Sequence, residues 1–439
     1  MKSVSANASF PPFFKLATVF FSILAFFAIA NASPARAEGF AIYDYGARGS
    51  ALGGAALARK PDVSTVAHNA AQLTRLQGIG VGAGLTFIAT NMTVNHRDGA
   101  ASGSTDAKRG AFFIPHAYLT GQITPRLFFG VGEFSRFGLG NEYPADWPGR
   151  FNVVSTSLAT FSLNPAIAWK ATDKLSLGGG LELLYASLDF SARTLFPVEG
   201  VEIGEVQANL EKIDDVGLGF NLALHYRHSD EWAFGIQYRA PVKIEGTGEA
   251  AFDYVGPANE VLEGAFATVF HDGEAGGTVT LPESVAAGVS YSPTEKMSFE
   301  LGVVWTGWSR YDSLDITLPS PLPVMVSPKE WKDSWRITSG AEFALKENLD
   351  LRLGYNWTES PMTRTYQDYS VPTENRHTFT AGLGYRTDDL SLDFAYVCVY
   401  SNGRNYDDNP YAAGGTGTVD SESESSFAHE LALTVAYRF

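Results

Sequence analysis

The sequence predicts an all-β chain: a fourteen-stranded antiparallel transmembrane β-barrel with an N-terminal hatch plugging the lumen. Three observations lead there. Apolar and polar side chains alternate in segment after segment. The connections between segments alternate between short and long. The last thirteen residues form a strand with one apolar and one polar or small face: Phe427, His429, Leu431, Leu433, Val435, Tyr437 and Phe439 against Ala428, Glu430, Ala432, Thr434, Ala436 and Arg438. Successive strand side chains point to opposite faces. A wall between lipid and a polar lumen needs this pattern, with aromatic residues at the interface.

Residues 1–37 read as a secretory leader. Lys2 opens it, an apolar run from Leu16 to Ala30 follows, and Ala35-Arg36-Ala37 supplies a small-residue cleavage site. The run is short for a membrane anchor, and the mature chain is expected to start at Glu38. The formal net charge is −16. The leader carries Lys2, Lys15 and Arg36 and no acid, so its removal makes the chain more acidic still. Such a balance argues against a nucleic-acid partner. Cys398 is the single cysteine, so no internal disulfide forms. It falls on the apolar face of a strand and reads as a small hydrophobe.

The predicted strands follow in order at 78–90, 110–120, 126–136, 152–170, 175–192, 213–228, 231–246, 280–292, 297–312, 332–345, 349–360, 375–387, 389–402 and 425–439. In the first, Ile79, Val81, Ala83, Leu85 and Phe87 alternate with Gly80, Gly82, Gly84 and Thr86. Later, Leu349, Leu351, Leu353, Tyr355 and Trp357 alternate with Asp350, Arg352, Gly354 and Asn356. Charges such as Asp350 and Arg352 are costly against lipid and tolerable in a polar lumen. The short connections fall at 121–125, 171–174, 229–230, 292–296, 346–348 and 387–389. The long ones fall at 91–109, 137–151, 193–212, 247–279, 313–331, 361–374 and 403–424. Short periplasmic turns and long outer loops are the barrel rhythm, and the strand number is even.

Residues 38–77 precede the first strand and lack its alternation. They are rich in Gly and Ala, and Asp62–Leu76 has room for a short helix. A barrel of this width leaks unless filled, so the segment is read as a plug, with the barrel proper at 78–439.

No catalytic or metal-binding signature stands out. There is no Gly-x-Ser-x-Gly elbow in a suitable setting, no His-Glu-x-x-His and no phosphate loop. The eight histidines lack ligand spacing. No enzyme activity, cofactor or metal is expected. Within 247–279, Val261, Leu262, Phe266, Val269 and Phe270 fall on one face of a short helix. That face either captures a hydrophobic molecule or packs on neighbouring loops. A long acyl chain resists exposure to water at about 0.8 kcal/mol per CH₂.

The segments Gly39-Phe40-Ala41-Ile42-Tyr43, Gly49-Ser50-Ala51-Leu52-Gly53-Gly54-Ala55 and His68-Asn69-Ala70-Ala71-Gln72-Leu73 resemble the hatch of the FadL/TodX family of outer-membrane transporters. Phe137-Gly138-Leu139, Leu163-Asn164-Pro165, Leu281-Pro282-Glu283, Trp305-Thr306-Gly307-Trp308-Ser309 and Trp331–Ile337 resemble that family's strands in order. The resemblance covers nearly the whole mature chain. It implies passive uptake of long-chain fatty acids or other hydrophobic compounds across the outer membrane, through an outer groove, an internal pocket and a lateral opening. The groove would combine the 247–279 loop with Leu195, Phe196 and Val198. A carboxylate head group would meet Arg193 and Lys329, each offset by a residue or two from the family position. The hatch would gate the opening by shifting around Asn69 and Ala70, which stand where the family has Asn-Pro, so that the turn lacks the fixed φ of proline. Gly138 matches the glycine at which the family's third strand kinks. Hydrophobic substrate and outer-membrane lipid are the expected partners, and the chain is expected as a monomer. A general porin for small polar solutes is the main alternative, with a membrane-bound lipid hydrolase and a surface adhesin behind it.

Overall fold

The computed structural model describes residues 39–97, 102–108, 110–196, 204–256, 258–372, 374–409 and 417–439. The predicted leader and Val198 lie outside them. Alternation closes the described chain into a cylinder, because a long strand with one apolar face must pair on both edges to satisfy its backbone in lipid. Nineteen strand segments join one antiparallel sheet whose first and last members pair with each other. Five of the staves are interrupted once, so the segments make fourteen staves. They are β1 (Ile79–Thr90), β2 (Gly110–Gln122), β3 (Leu127–Phe134 and Gly138–Glu142), β4 (Ser155–Lys170), β5 (Leu175–Phe196), β6 (Gly204–Arg227) and β7 (Trp232–Arg239 and Val242–Val255). The second half is β8 (Gly273–Leu281 and Ser284–Thr294), β9 (Met297–Thr306 and Ser313–Thr317), β10 (Met325–Pro328 and Ser334–Lys346), β11 (Leu349–Thr358), β12 (Arg376–Arg386), β13 (Leu390–Ser401) and β14 (Ser426–Arg438). The seam β1–β14 runs in unbroken register from Gly80↔Arg438 to Ala89↔His429.

The two faces separate as the alternation requires. On β14, Leu431 and Leu433 are 46% and 52% exposed while Ala432 and Thr434 are 1% and 6% exposed. That exposed apolar band continues around the cylinder through Ile236, Leu301, Ile337, Phe379 and Phe394. Asp350 and Arg352 are buried on the lumenal side. Among the described residues no helix is long and apolar enough to cross a membrane; the chain crosses with strands.

Three predicted loops are shorter than expected. Within 193–212, β5 runs to Phe196 and β6 resumes at Gly204; within 247–279, β7 runs to Val255 and β8 starts at Gly273; within 313–331, Ser313–Thr317 pairs with Met325–Pro328. These extensions carry polar residues such as Gln207, Asn209 and Glu249, so they lack the lipid-facing alternation that marks a membrane stave. The predicted loop 137–151 likewise opens with the second segment of β3. Loops 91–109 and 403–424 contribute Thr93–His96, Gly103–Asp106, Asn405–Tyr406 and Ser421–Ser423 to a separate four-stranded outer sheet.

Inside the cylinder sits the N-terminal segment, with short helices α1 (Ala47–Ala51) and α2 (Thr65–His68) and a 3-10 turn Ala70–Arg75. Small residues let it approach the wall: Ala47 and Ala51 pack on Ala395 and Ala432. Polar lumenal side chains fasten it. Arg48 forks onto Glu342 at 2.9 and 3.0 Å, and Arg352 joins Glu342 to Asp393. The Glu300 carboxylate accepts the backbone N–H groups of Leu57, Ala58 and Arg59 at 2.6, 3.1 and 2.8 Å. Charge-assisted bonds of this kind are the strong ones.

Candidate transport cavity and wall opening

The barrel wall has a gap. Stave β2 pairs with β1 along its length, yet with β3 only from Ala117 to Gln122. The upper segment of β3 pairs with β4 alone, Gly138↔Ala159 through Glu142↔Ser155. Between Gly110 and His116 no ladder crosses from β2 to β3. Above the gap the Lys108 N–H donates to the Glu142 carbonyl at 2.8 Å and the two side chains pair. The Phe112 ring rests against Gly110 and Gly140 and screens the opening; a Cβ on either glycine would overlap it.

The hatch takes up the broken ladder. Ile42 N–H donates to the Arg136 carbonyl at 2.7 Å, and Gly138 N–H donates to the Phe40 carbonyl at 2.9 Å. The Arg136 carbonyl and the Gly138 N–H are therefore satisfied by hatch backbone instead of by β2, while Phe137 N–H donates to the Thr160 hydroxyl on β4 at 3.1 Å, as buried peptide groups require. Gly138 permits this contact: a Cβ there would lie 2.6 Å from Ile42 Cδ1. Phe40 is clamped in an aromatic box, with ring centroids 4.7 Å from Trp308, 5.6 Å from Tyr311, 5.7 Å from Trp331 and 6.0 Å from Phe137. Gly39 turns at φ 48°, where a side chain would strike Trp331 and Trp308. Behind the box, Glu182 accepts from Arg136 at 2.9 Å and from Arg239 at 3.4 Å, and Arg239 also holds the Ala67 carbonyl.

A cavity of about 560 Å³ adjoins the gap. Gly138, Leu139, Leu158 and Ile114 line its side toward β2–β4, and Arg336, Thr358 and Arg376 its side toward β10–β12. Hatch residues Gly39–Asp44 line it between the two. Burial pushes the Asp44 carboxyl above its usual value, against the pull of Ser50 and Arg336. Burial pulls the imidazole of His68, deeper in the hatch, down to about 4, so it is neutral at physiological pH.

The sequence-derived candidates fall in three places. Gly138 stands at the gap. Asn69 and Ala70 are fully buried; Asn69 donates to the carbonyls of Leu57 and Leu224 at 2.8 and 3.0 Å and caps Ala71 N–H at 3.1 Å. Asn69 thereby pins the hatch to β6 without any help from proline. The groove residues gather above the membrane. Helix α3 (Glu260–Val269) buries Leu262 completely and leaves Val261 57% exposed. Phe266 stacks on Phe270 at 5.4 Å, and Phe270 meets Phe196 at 5.3 Å. Phe196, Phe266 and Phe270 pack against the same apolar cluster as Phe137, Leu139 and Leu158 at the cavity. Leu195 and Val269 are half-buried beside them.

The two candidate cations lie outside the cavity lining. Arg193 pairs with Glu205 at 2.8 Å and donates to Gln207. Lys329 is buried against Asp368. Burial works against both charges there, and their mutual attraction outweighs it, holding Lys329 above and Asp368 below their usual values. Sequence reasoning passed over Arg336, Arg376 and Phe112. Parity alone puts Arg336 in the lumen, between lipid-facing Trp335 and Ile337, but only pairing register brings it beside Arg376.

A family model described as Outer membrane protein transport protein (OMPP1/FadL/TodX) matches residues 28–439. The chain belongs to this family. As a FadL/TodX-family protein it is an outer-membrane transport protein and not an enzyme. It is 22% identical to a long-chain fatty acid transport protein of Escherichia coli O6:H1 over 76% of this chain and 80% of the relative. It is 23% identical to outer membrane protein P1 of Haemophilus influenzae over 71% of each chain. Among solved folds, a Pseudomonas aeruginosa FadL homologue superposes with a TM-score of 0.78 at 17% identity, over 93% of this chain and all of the other. The Pseudomonas putida toluene transporter TodX superposes with a TM-score of 0.69 at 17% identity, over 92% and 99%. Both FadL/TodX folds share the plugged barrel described above.

Proposed function

We propose that this FadL/TodX-family chain takes up fatty acids or other hydrophobic small molecules passively, and that they leave sideways through the gap between β2 and β3. The relatives named for long-chain fatty acids and for toluene support this substrate class. Substrate lands on the apolar groups of α3 and β5, Leu195, Phe196, Val261, Phe266, Val269 and Phe270, with Leu262 buried beneath them. It then moves into the cavity and exits past Gly138 into the outer-membrane lipid. This route spares an apolar chain a passage through water. One observation carries the reading: the cavity abuts a stretch of wall whose missing partner strand is replaced by hatch backbone. A shift of Gly39–Ile42 frees Arg136 and Gly138 together, which makes those hatch residues the gate and Gly138 its hinge. Asn69 and Ala70 serve as its fixed base. The working unit is a monomer with the leader 1–37 removed and residues 38–77 as the plug.

A reducible cross-link tests the route. Cysteines replacing Ala111 and Asn141, which both line the cavity at the gap, are bridged by a bis-thiosulfonate in a Cys398→Ser background. Palmitate uptake by cells is expected to stop on bridging and return on reduction. Unchanged uptake in the bridged protein removes the lateral route.

A further inference from the structure

We propose that Glu133 is an exit station on the lipid side of the wall gap, a carboxyl that hydrogen-bonds the acid head of a single-chain fatty acid as it leaves the cavity for the membrane. The inference rests on the transport reading above and adds to it a residue outside the lumen. Three observations carry it.

The first is the face on which Glu133 stands. Register across neighbouring staves puts it in one row with Val435, Ala83, Ala117, Leu163, Leu183 and Leu218. Directly opposed strand residues share a face, and this row faces lipid: Val435, Leu163, Leu183 and Leu218 are all exposed. Nearer the outer ends of the neighbouring staves, Phe113 on β2 and Phe161 on β4 are exposed as well. Glu133 therefore lies within the apolar band and not at its edge. A carboxyl in that band weakens the fit of the wall to lipid. Ionisable groups kept inside a membrane mark the routes of substrates.

The second is its want of a partner. One carboxyl oxygen, Oε1, is buried without a hydrogen bond among the described residues. No cation among them offsets its burial. The other charged pair at the gap, Lys108 with Glu142, closes the opposite end. Hydrocarbon tolerates a lone carboxyl as the neutral acid, which offers one O–H donor and acceptor oxygens. A fatty acid entering hydrocarbon is likewise neutral, its proton taken from water. Two such groups complement each other, each O–H donating to the carbonyl oxygen of the other.

The third is place. Ala117↔Glu133 is the last pair of the β2–β3 ladder before the gap, so Glu133 forms its lower lip. The cavity reaches through the wall just above. Exposed Ala111, Phe113, Ala159 and Phe161 line it together with Ile114 and Leu158. Glu133 itself stands outside that lining, toward the membrane. Past these side chains an apolar tail moves freely, whereas a polar head loses its hydrogen bonds. The head is the part of the substrate that needs a partner at the lip, and a plain hydrocarbon needs none.

The test compares uptake of radiolabelled palmitate and hexadecane by cells carrying the full-length protein or a variant as their one FadL/TodX-family transporter. Glu133→Leu completes the apolar row, so the barrel is expected to fold, and its resistance to unfolding on an unheated denaturing gel checks this. Palmitate uptake should fall about fivefold, the factor of one net hydrogen bond, with hexadecane uptake unchanged. Glu133→Gln, which keeps a donor and an acceptor, should retain most palmitate uptake. Undiminished palmitate uptake in Glu133→Leu, an equal fall for both probes, or a Gln variant as slow as the Leu variant overturns the proposal. A second measurement uses wild type alone: photolysis of a palmitate with a diazirine beside its carboxyl. Labelling concentrated on Leu127–Phe134 supports the station; labelling confined to lumenal residues, or spread evenly over the lipid-facing staves, overturns it. If the station fails while the Ala111–Asn141 bridge still stops palmitate, the lateral route stands without it. If the bridge leaves uptake unchanged, the route falls and the station with it.

Discussion

Gly138 shows what one missing side chain does in this wall. The hatch strand that bonds Gly138 N–H brings Ile42 Cδ1 to 2.6 Å from where a Cβ would stand. We expect Gly138→Ala to push Ile42 off the broken ladder and reduce palmitate uptake several-fold, and Ile42→Ala in the same chain to restore most of it. Non-additive recovery of this kind is the mark of a direct contact. Restoration absent from the double variant removes the assigned contact. The glycine was legible in the sequence as a strand-edge kink. Its partner was not, because Ile42 lies almost a hundred residues earlier and no local pattern ties the two. Arg193 and Lys329 illustrate the opposite error: basic residues near expected positions, each already engaged, Arg193 by a Glu205 that it shares with Arg150 and Lys329 by Asp368. Charge type is visible in a sequence; the counter-ion that cancels it belongs to another stave.

At the level of elements, the hatch is held along one side by the Glu300 carboxylate and by Arg48 on Glu342. Glu300→Ala strands three backbone N–H groups and the charge of Arg59. We expect it to weaken local docking by about 3 kcal/mol. Amide exchange at Leu57, Ala58 and Arg59 should then quicken by roughly a hundredfold, while the barrel amides stay protected. Exchange unchanged at those three sites would show that the carboxylate does not fasten the segment. Strand positions were readable to within a few residues wherever lipid imposes alternation, as on β1, β11 and β14. Legibility failed above the membrane. There β5 through β8 keep pairing while the outward face turns polar and the inward face carries buried apolar residues such as Val206, Leu210, Ala250 and Phe252, so the lipid-facing pattern that marks a stave is lost. It failed also at β3, where the chain bends at Arg136 and keeps β4 on one edge while the hatch replaces β2 on the other.

For the molecule as a whole, a cylinder of this girth with a fastened plug should not behave as a water-filled pore. In planar bilayers we expect no steady large conductance from the intact chain. Deletion of Gly39–Asp44, which line the cavity, should produce brief openings without a permanently open state, since the rest of the hatch keeps its anchors. A constant high conductance in the undeleted protein would favour the general porin. The outer sheet above the β1–β14 seam has a separate consequence. Its strands come from loops at both ends of the chain, Thr93–Asp106 and Asn405–Ser423, so neither half makes it alone. We expect the clasp to close only once the first and last staves have met. Protection of that clasp from surface protease thus serves as a natural stopwatch for the final moment of biogenesis.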